Sequence, residues 1–251
     1  CCTFARKAAD EIKKRIKLET GVETKFLPIG TFHSLGLKAL SSLGDKIHVS
    51  KNPEIIMQGK RIQIVNNIKD ELIEKNNKFK NVNVMEILHY IDTKRDALID
   101  PEDASIEASE DNDHKNLFFS ECYQKFEETL TKQKLIDYPR MIQFSCKALE
   151  FDALNEKTFI QKFKHILIDE YQDINFSQKT MVDLLLKGGA DLWVVGDDDQ
   201  AIYQWRGSRI GFILNFEKNY KNTTKVNLKI NYRSTKNIVK VANNLSNHFR
   251  V

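Results

Sequence analysis

Cysteine and proline are scarce, with four of each in 251 residues, and no apolar run approaches the roughly 18 residues of a membrane span. Nothing reads as a secretory signal. The thiols, Cys1, Cys2, Cys122 and Cys146, form no C-x-x-C and no Cys/His metal spacing. That excludes a disulfide-stapled scaffold and makes a reduced, cytoplasmic setting the expectation. Glycine is limited to ten residues, which excludes collagen-like chains, and none of them falls in a G-x-x-x-x-G-K-[ST] phosphate cradle. The chain opens at Cys1, without Met, inside what reads as a strand, and is expected to be a fragment.

What is present suffices for one large domain or two small ones, with 41% hydrophobic and 29% charged residues. Formal charge is only +4, but residues 100–113 hold seven acids and no Lys or Arg, so the remainder carries +11. Such a bias suits a polyanionic partner, although the plainer reading on charge alone is a lysine-rich solvated surface.

Along the chain, residues 1–44 read as strand, helix, strand, helix: Cys1–Phe4, Arg6–Leu18, Val22–Ile29 and Ser34–Leu43. Residues 45–135 change character. Ile62, Val65, Ile68 and Leu72, then Val84, Ile87, Leu88 and Ile91, recur at helical spacing, and no strand pattern is visible. The acidic stretch 100–113 is expected to be a mobile loop, followed by a helix over Leu117–Leu130. Alternation then resumes: a helix at Pro139–Leu149, the apolar run from His165 ending in acids, a helix from Phe176 to Lys187, and a second apolar run from Leu192. Val226–Ile230 reads as a further strand and Thr235–Phe249 as a last helix capped by Ser234. Apolar runs alternating with helices predict an α/β fold with a parallel sheet covered on both faces, interrupted by an all-helical insertion.

Three segments carry chemistry. The strand Ile166-Leu-Ile ends in Asp169-Glu170-Tyr-Gln-Asp173, at the carboxyl edge where open α/β sheets bind ligands. One carboxylate there can hold Mg²⁺ and its neighbour can orient or deprotonate water, or the pair merely ends a strand. The second is Gly196-Asp197-Asp198-Asp199-Gln200, followed by Tyr203-Gln-Trp205-Arg206-Gly207. Gly196 permits a tight turn, Gln200 is a neutral donor suited to a phosphate oxygen, and Trp205-Arg206 can stack on bases and grip phosphates. The plainer reading is a core Trp beside a surface Arg. The third is Asn231-Tyr232-Arg233-Ser234, where an Arg between strand and helix can act as an arginine finger, or simply sit in a turn.

In this order the three blocks resemble the superfamily 1A DNA helicases of the UvrD/Rep/PcrA type. Thr3-Phe4-Ala5-Arg6-Lys7-Ala8-Ala9 resembles their motif Ia, and Gly30-Thr31-Phe32-His33-Ser34 the next DNA-contacting motif. The resemblance implies a RecA-like P-loop NTPase sheet whose first strand is missing here. Residues 1–44 and 136–230 would form domain 1A, 45–135 the helical subdomain 1B, and 231–251 the start of domain 2A. It further implies that Asp169 coordinates Mg²⁺, Glu170 activates the hydrolytic water, Gln200 contacts the γ-phosphate of ATP, Tyr232 stacks on adenine and Arg233 stabilises transition-state charge. Phe4, Thr31, His33, Trp205 and Arg206 would line a single-stranded DNA track. The whole protein would move on single-stranded DNA, 3′ to 5′, and open duplexes at single-strand/double-strand junctions.

The sequence departs from the family in several places. The Walker-type cradle is expected upstream of Cys1 and motifs V and VI beyond Val251, so the chain alone should have negligible ATPase. Ala5 and Arg6 replace Thr-Asn of motif Ia, and Asp137-Tyr138-Pro139-Arg140 stands where the family has Asp-Phe-Asp-Asp. Two alternatives remain: a metal-dependent nuclease built on Asp169, Glu170, Asp173 and Asp197–Asp199, and a DNA-binding module without catalysis.

Overall fold

The computed structural model describes residues 1–75, 77–204 and 207–249. Its centre is a four-stranded, all-parallel sheet in the order β2-β1-β5-β6. The strands are β1 (Cys2–Thr3), β2 (Gly30–Thr31), β5 (His165–Ile168) and β6 (Asp191–Val194). Registers Cys2↔Gly30, Cys2↔Ile168 and Ile168↔Val194 bring all four carboxyl ends to one edge. Parallel strands need helical crossovers, and α1 (Arg6–Thr20), α2 (Phe32–Leu43), α7 (Tyr138–Leu154) and α8 (Phe176–Leu186) supply them. α2, α7 and α8 bury Leu35, Leu40, Met141, Leu149, Met181 and Leu185 with Ile166 and Ile168 of β5 in one core.

The fourth strand is less well covered. Trp193 is 63% exposed on β6, and Val195 and Leu167 are exposed beside it. β6 is thus an edge strand with apolar side chains toward solvent, and the sheet has no internal gap.

Between α2 and α7 lie β3 (Glu54–Ile55), α3 (Gln58–Lys75), α4 (Val84–Asp96), α5 (Pro101–Glu110), α6 (His114–Lys132) and β4 (Leu135–Ile136). Their apolar stripes form a second core of Val65, Ile68, Ile87, Ile91, Tyr123 and Phe126. Two expectations fail here. The acidic stretch is a helix, because Asp100 occupies its N-cap position, Pro101 its first turn, Glu102 and Asp103 favour its positive end, and Ala104 and Ala108 are buried on one side. The segment also holds a strand: β3 pairs in parallel with β4 and closes the neck of the excursion.

After β6 come the short helices α9 (Gly211–Leu214) and α10 (Phe216–Asn219) and the last helix, α11 (Lys236–Phe249). Val226–Ile230 is not a strand: it is irregular, with Val226, Leu228 and Ile230 all exposed. Alternation was its only strand signal, and it has no pairing partner among the described residues. Val22–Ile29 likewise contains a 3-10 turn (Thr24–Phe26) rather than continuous extended chain. No helix among the described residues is long and apolar enough to cross a membrane.

Candidate functional site

Asp169 follows β5 directly, its N–H donating to Cys2 O at 2.9 Å. Burial, and next the Glu170 charge, push the Asp169 carboxyl above its usual range. Glu170 has left-handed backbone (φ 53°, ψ 48°), a strained conformation for a residue with a side chain. It persists because Tyr171 N–H donates to Val195 O at 3.0 Å and Asp173 N–H donates to Glu170 O at 3.0 Å. The turn Tyr171–Asp173 is thereby pinned to the end of β6.

The loop after β6 meets it there. Asp197 Oδ1 accepts from Asp199 N–H at 3.1 Å, and Asp197 Oδ2 accepts from Gln200 Nε2 at 2.7 Å. The acids that finish the two neighbouring strands therefore share one edge, as the sequence suggested. Tyr232 and Arg233 stand exposed, Tyr232 at 89%. Asn231 Oδ1 accepts from the N–H groups of Arg233 and Ser234, both at 2.9 Å, and no described side-chain contact joins Arg233 to Asp169 or Glu170. Trp205 and Arg206 lie outside the described residues. Among the described residues no three His, Cys, Asp or Glu side chains group as a metal cage, so the nuclease alternative gains no support from geometry.

On the same edge runs a groove of about 720 Å³ between the sheet and α4. Phe4, Thr31 and His33 line it. Phe4 stacks on Tyr203 with centroids 5.3 Å apart and planes at 20°. Thr31 caps α2, its Oγ1 accepting from Ser34 N–H at 3.3 Å. His33 packs edge-on against Tyr138 at 5.0 Å, and burial, with Arg6 adding to it, lowers its pKa.

The sequence reading gave Tyr203, Asp96, Asn175 and Arg209 no role, yet all line this groove. Tyr203 could have been found as an aromatic two residues before the Trp205-Arg206 pair. Asp96 could not, because nothing local links α4 to the cap of α8. Asp96 Oδ1 accepts from Asn175 Nδ2 at 2.8 Å, and Asn175 also caps α8 through Gln178 N–H.

Burial, then the neighbouring Asp92, raise Asp96 to about 7 against the opposing amide donor. Between the ordinary carboxylate range and pH 7 the folded protein therefore holds a proton that the unfolded chain has released, and stability falls as pH rises through that window. Asp96→Asn keeps an acceptor for Asn175 and removes the charge. It is expected to raise the melting temperature at pH 8 more than at pH 5, by about 2–4 °C per kcal/mol recovered. Equal pH slopes in thermal melts of both proteins would contradict this.

The family described as "UvrD/REP helicase N-terminal domain" matches residues 1–221. The ATP-dependent DNA helicase PcrA of Staphylococcus epidermidis is 35% identical over 246 residues, 98% of this chain and 33% of the relative. PcrA of Bacillus subtilis is 35% identical over 243 residues, and PcrA of Staphylococcus aureus 34% over 241, each covering 96% of this chain and 32% of the relative. The chain thus spans about a third of the length of these curated relatives. With an acid-ended parallel sheet, an aromatic groove on its carboxyl edge and a family match over most of its length, the chain belongs to the UvrD/REP helicase N-terminal domain family.

Proposed function

We propose that this chain is the part of an ATP-dependent DNA translocase that holds the hydrolytic carboxylates and part of the single-strand track. The observation that carries the reading is the shared sheet edge. Asp169, Glu170 and the Asp197–Gln200 loop lie at the carboxyl ends of β5 and β6, and the Phe4–Tyr203 stack lies at the end of β1. A movement at one set of strand ends is felt at the other within a rigid sheet. In this reading 45–135 is the inserted subdomain 1B and 231–251 begins domain 2A.

Bound Mg²⁺ would neutralise phosphate charge; Asp169 would hold it, with no cage of protein ligands required. Glu170 would take the proton of the attacking water, and Gln200, now held by Asp197, would turn to the γ-phosphate. Tyr232 and Arg233, exposed here, would reach the nucleotide from the second domain. The glycine-rich phosphate cradle is not among these 251 residues, and in this reading ATP turnover is assigned to the whole protein.

On the DNA side, stacking on Phe4 and Tyr203 reads no sequence, as a motor that passes every base requires. His33 and Thr31 would flank the same strand, with Trp205 and Arg206 continuing the track. The test is ATP hydrolysis by the whole protein with and without single-stranded DNA, alongside displacement from partial duplexes with 3′ or 5′ tails. Strong stimulation and opening of the 3′-tailed substrate are expected. Hydrolysis indifferent to DNA, with no displacement, would overturn the reading. Phe4→Ala is expected to weaken binding by about 5–150-fold, the equivalent of about 1–3 kcal/mol per stacked base, equally for dT, dA and dC oligomers. Fluorescence anisotropy measures it, and a loss confined to one base would count against stacking.

A further inference from the structure

Gln172 has no assigned role in the chemistry, yet its amide is buried at 1% exposure between the two loops that carry the site. Its Nε2 donates to Glu170 Oε2 at 2.8 Å, and its Oε1 accepts from Asp197 N–H at 3.1 Å. The orientation of that amide is forced by chemistry: a carboxylate only accepts and a peptide N–H only donates, so a flipped amide would lose both bonds. From Asp197 the chain of bonds continues through Oδ2 to Gln200 Nε2 at 2.7 Å. One hydrogen-bonded line thus runs from Glu170 through Gln172 and Asp197 to Gln200.

The surroundings are shaped around this amide. A Cβ added at Gly196 would stand 2.7 Å from Gln172 Oε1 and 3.2 Å from Tyr171 N. The glycine therefore serves the close approach of the two loops as well as the turn itself. Glu170, in its strained left-handed backbone, is otherwise exposed, and the Gln172 amide is the one described side chain that donates to its carboxylate. Asp173, the next residue, lines the groove. A single three-residue turn therefore touches the Glu170 carboxylate, the Gln200 loop and the strand track.

We propose that Gln172 is a positioning residue that aims the Glu170 carboxylate and ties its aim to the Asp197–Gln200 loop, so that a shift of Gln200 on nucleotide binding is passed to the base. This rests on the reading of Glu170 as the base. Gln172 acts through Glu170, to which its amide donates, and not on the reacting atoms. The amide suits this because it is uncharged. It can hold a carboxylate without neutralising it, whereas a Lys there would form an ion pair and weaken the base.

The test uses the whole protein with three variants, rates being normalised to the fraction that binds single-stranded DNA. Gln172→Glu keeps the acceptor for Asp197 N–H and turns the donor at Glu170 into a repelling oxygen. Gly196→Ala crowds the same amide from the other side, together with Ile213 Cδ1, leaving Gln172 itself unsubstituted. Glu170→Gln reports on the base alone. For Gln172→Glu and Gly196→Ala, kcat should fall about 10–100-fold, the scale of a misplaced catalytic group. KM for ATP should stay within about threefold, because Asp169 and the phosphate contacts are untouched. Stimulation by single-stranded DNA should fall with kcat. Wild-type kcat and stimulation in either folded variant, beside an inactive Glu170→Gln, would overturn the proposal. A fall in kcat matched by an equal rise in KM would also overturn it, since that marks general damage to the site. Wild-type kcat in Glu170→Gln would instead overturn the assignment of the base.

Discussion

Glutamine in place of Glu170 is expected to lower the DNA-stimulated kcat of the whole protein by about 10²–10⁴-fold, the usual contribution of a positioned general base. The substitution is nearly isosteric. An amide oxygen can still accept from Gln172 Nε2, so the bond seen at 2.8 Å has a counterpart and the strained backbone of residue 170 keeps its supports. What is lost is the ability to take a proton. ATP affinity should be preserved, because the Asp169 carboxylate and the turn that carries it are left in place. Steady-state ATPase, single-stranded DNA binding and nucleotide binding, measured together, distinguish the outcomes. Lost turnover with intact binding supports Glu170 as the base, and unchanged turnover removes it from that role.

The sheet was legible because its strands are short apolar runs that end in acids. His165–Ile168 into Asp169-Glu170 and Leu192–Val195 into Gly196-Asp197 declare both the strand and the edge where chemistry can sit. In residues 100–113 the acid content masks helix signals that are also present: Pro101 in the first turn, acids at the positive end, and alanines four apart. Val226–Ile230 is the opposite case, a strand signal without a strand. Alternation says that a segment can pair, but pairing needs a neighbour, and the sequence does not say whether one is there. The aromatic groove was half legible. Phe4 and His33 stand in recognisable motifs, whereas Asp96 enters from α4, seventy-nine positions before the Asn175 that holds it. Separations of that size leave no periodic trace.

Arg95→Ala is expected to destabilise the fold by about 3–5 kcal/mol, the scale of breaking a buried ion pair and stranding its partners. In a chain of this size that corresponds to a melting temperature lower by roughly 6–20 °C. Arg95 is fully buried, its Nη1 donating to both carboxylate oxygens of Asp137 at 2.9 and 2.8 Å and its Nε to Glu127 Oε1 at 2.9 Å. Around it Arg61 pairs with Asp92 and Asp137, Arg140 pairs with Glu127, and Asp137 also caps α7 through Arg140 N–H at 3.0 Å. Three guanidinium groups thus meet three carboxylates. The departure Asp137-Tyr138-Pro139-Arg140, read in sequence as a loss of two acids, becomes here one buried acid and one arginine of this network. Burial opposes ionisation of Asp137, but Arg95 and Arg61 outweigh it and hold its carboxyl below the ordinary range. The stability from that ionisation is present above the ordinary carboxylate range and lost as pH falls through the lowered value. Without Arg95 the loss should begin at higher pH, which urea melts at pH 7 and pH 4 would detect. Arg95→Met combined with Asp137→Asn leaves two arginines facing two acids, fills the space against Tyr123 and Phe126, and keeps an oxygen to cap α7. That double variant should be more stable than Arg95→Ala alone, a non-additivity expected of residues sharing one network. Because Asp92 belongs to the network and also lines the groove, loosening it should weaken single-stranded DNA binding in Arg95→Ala and restore it in the double variant.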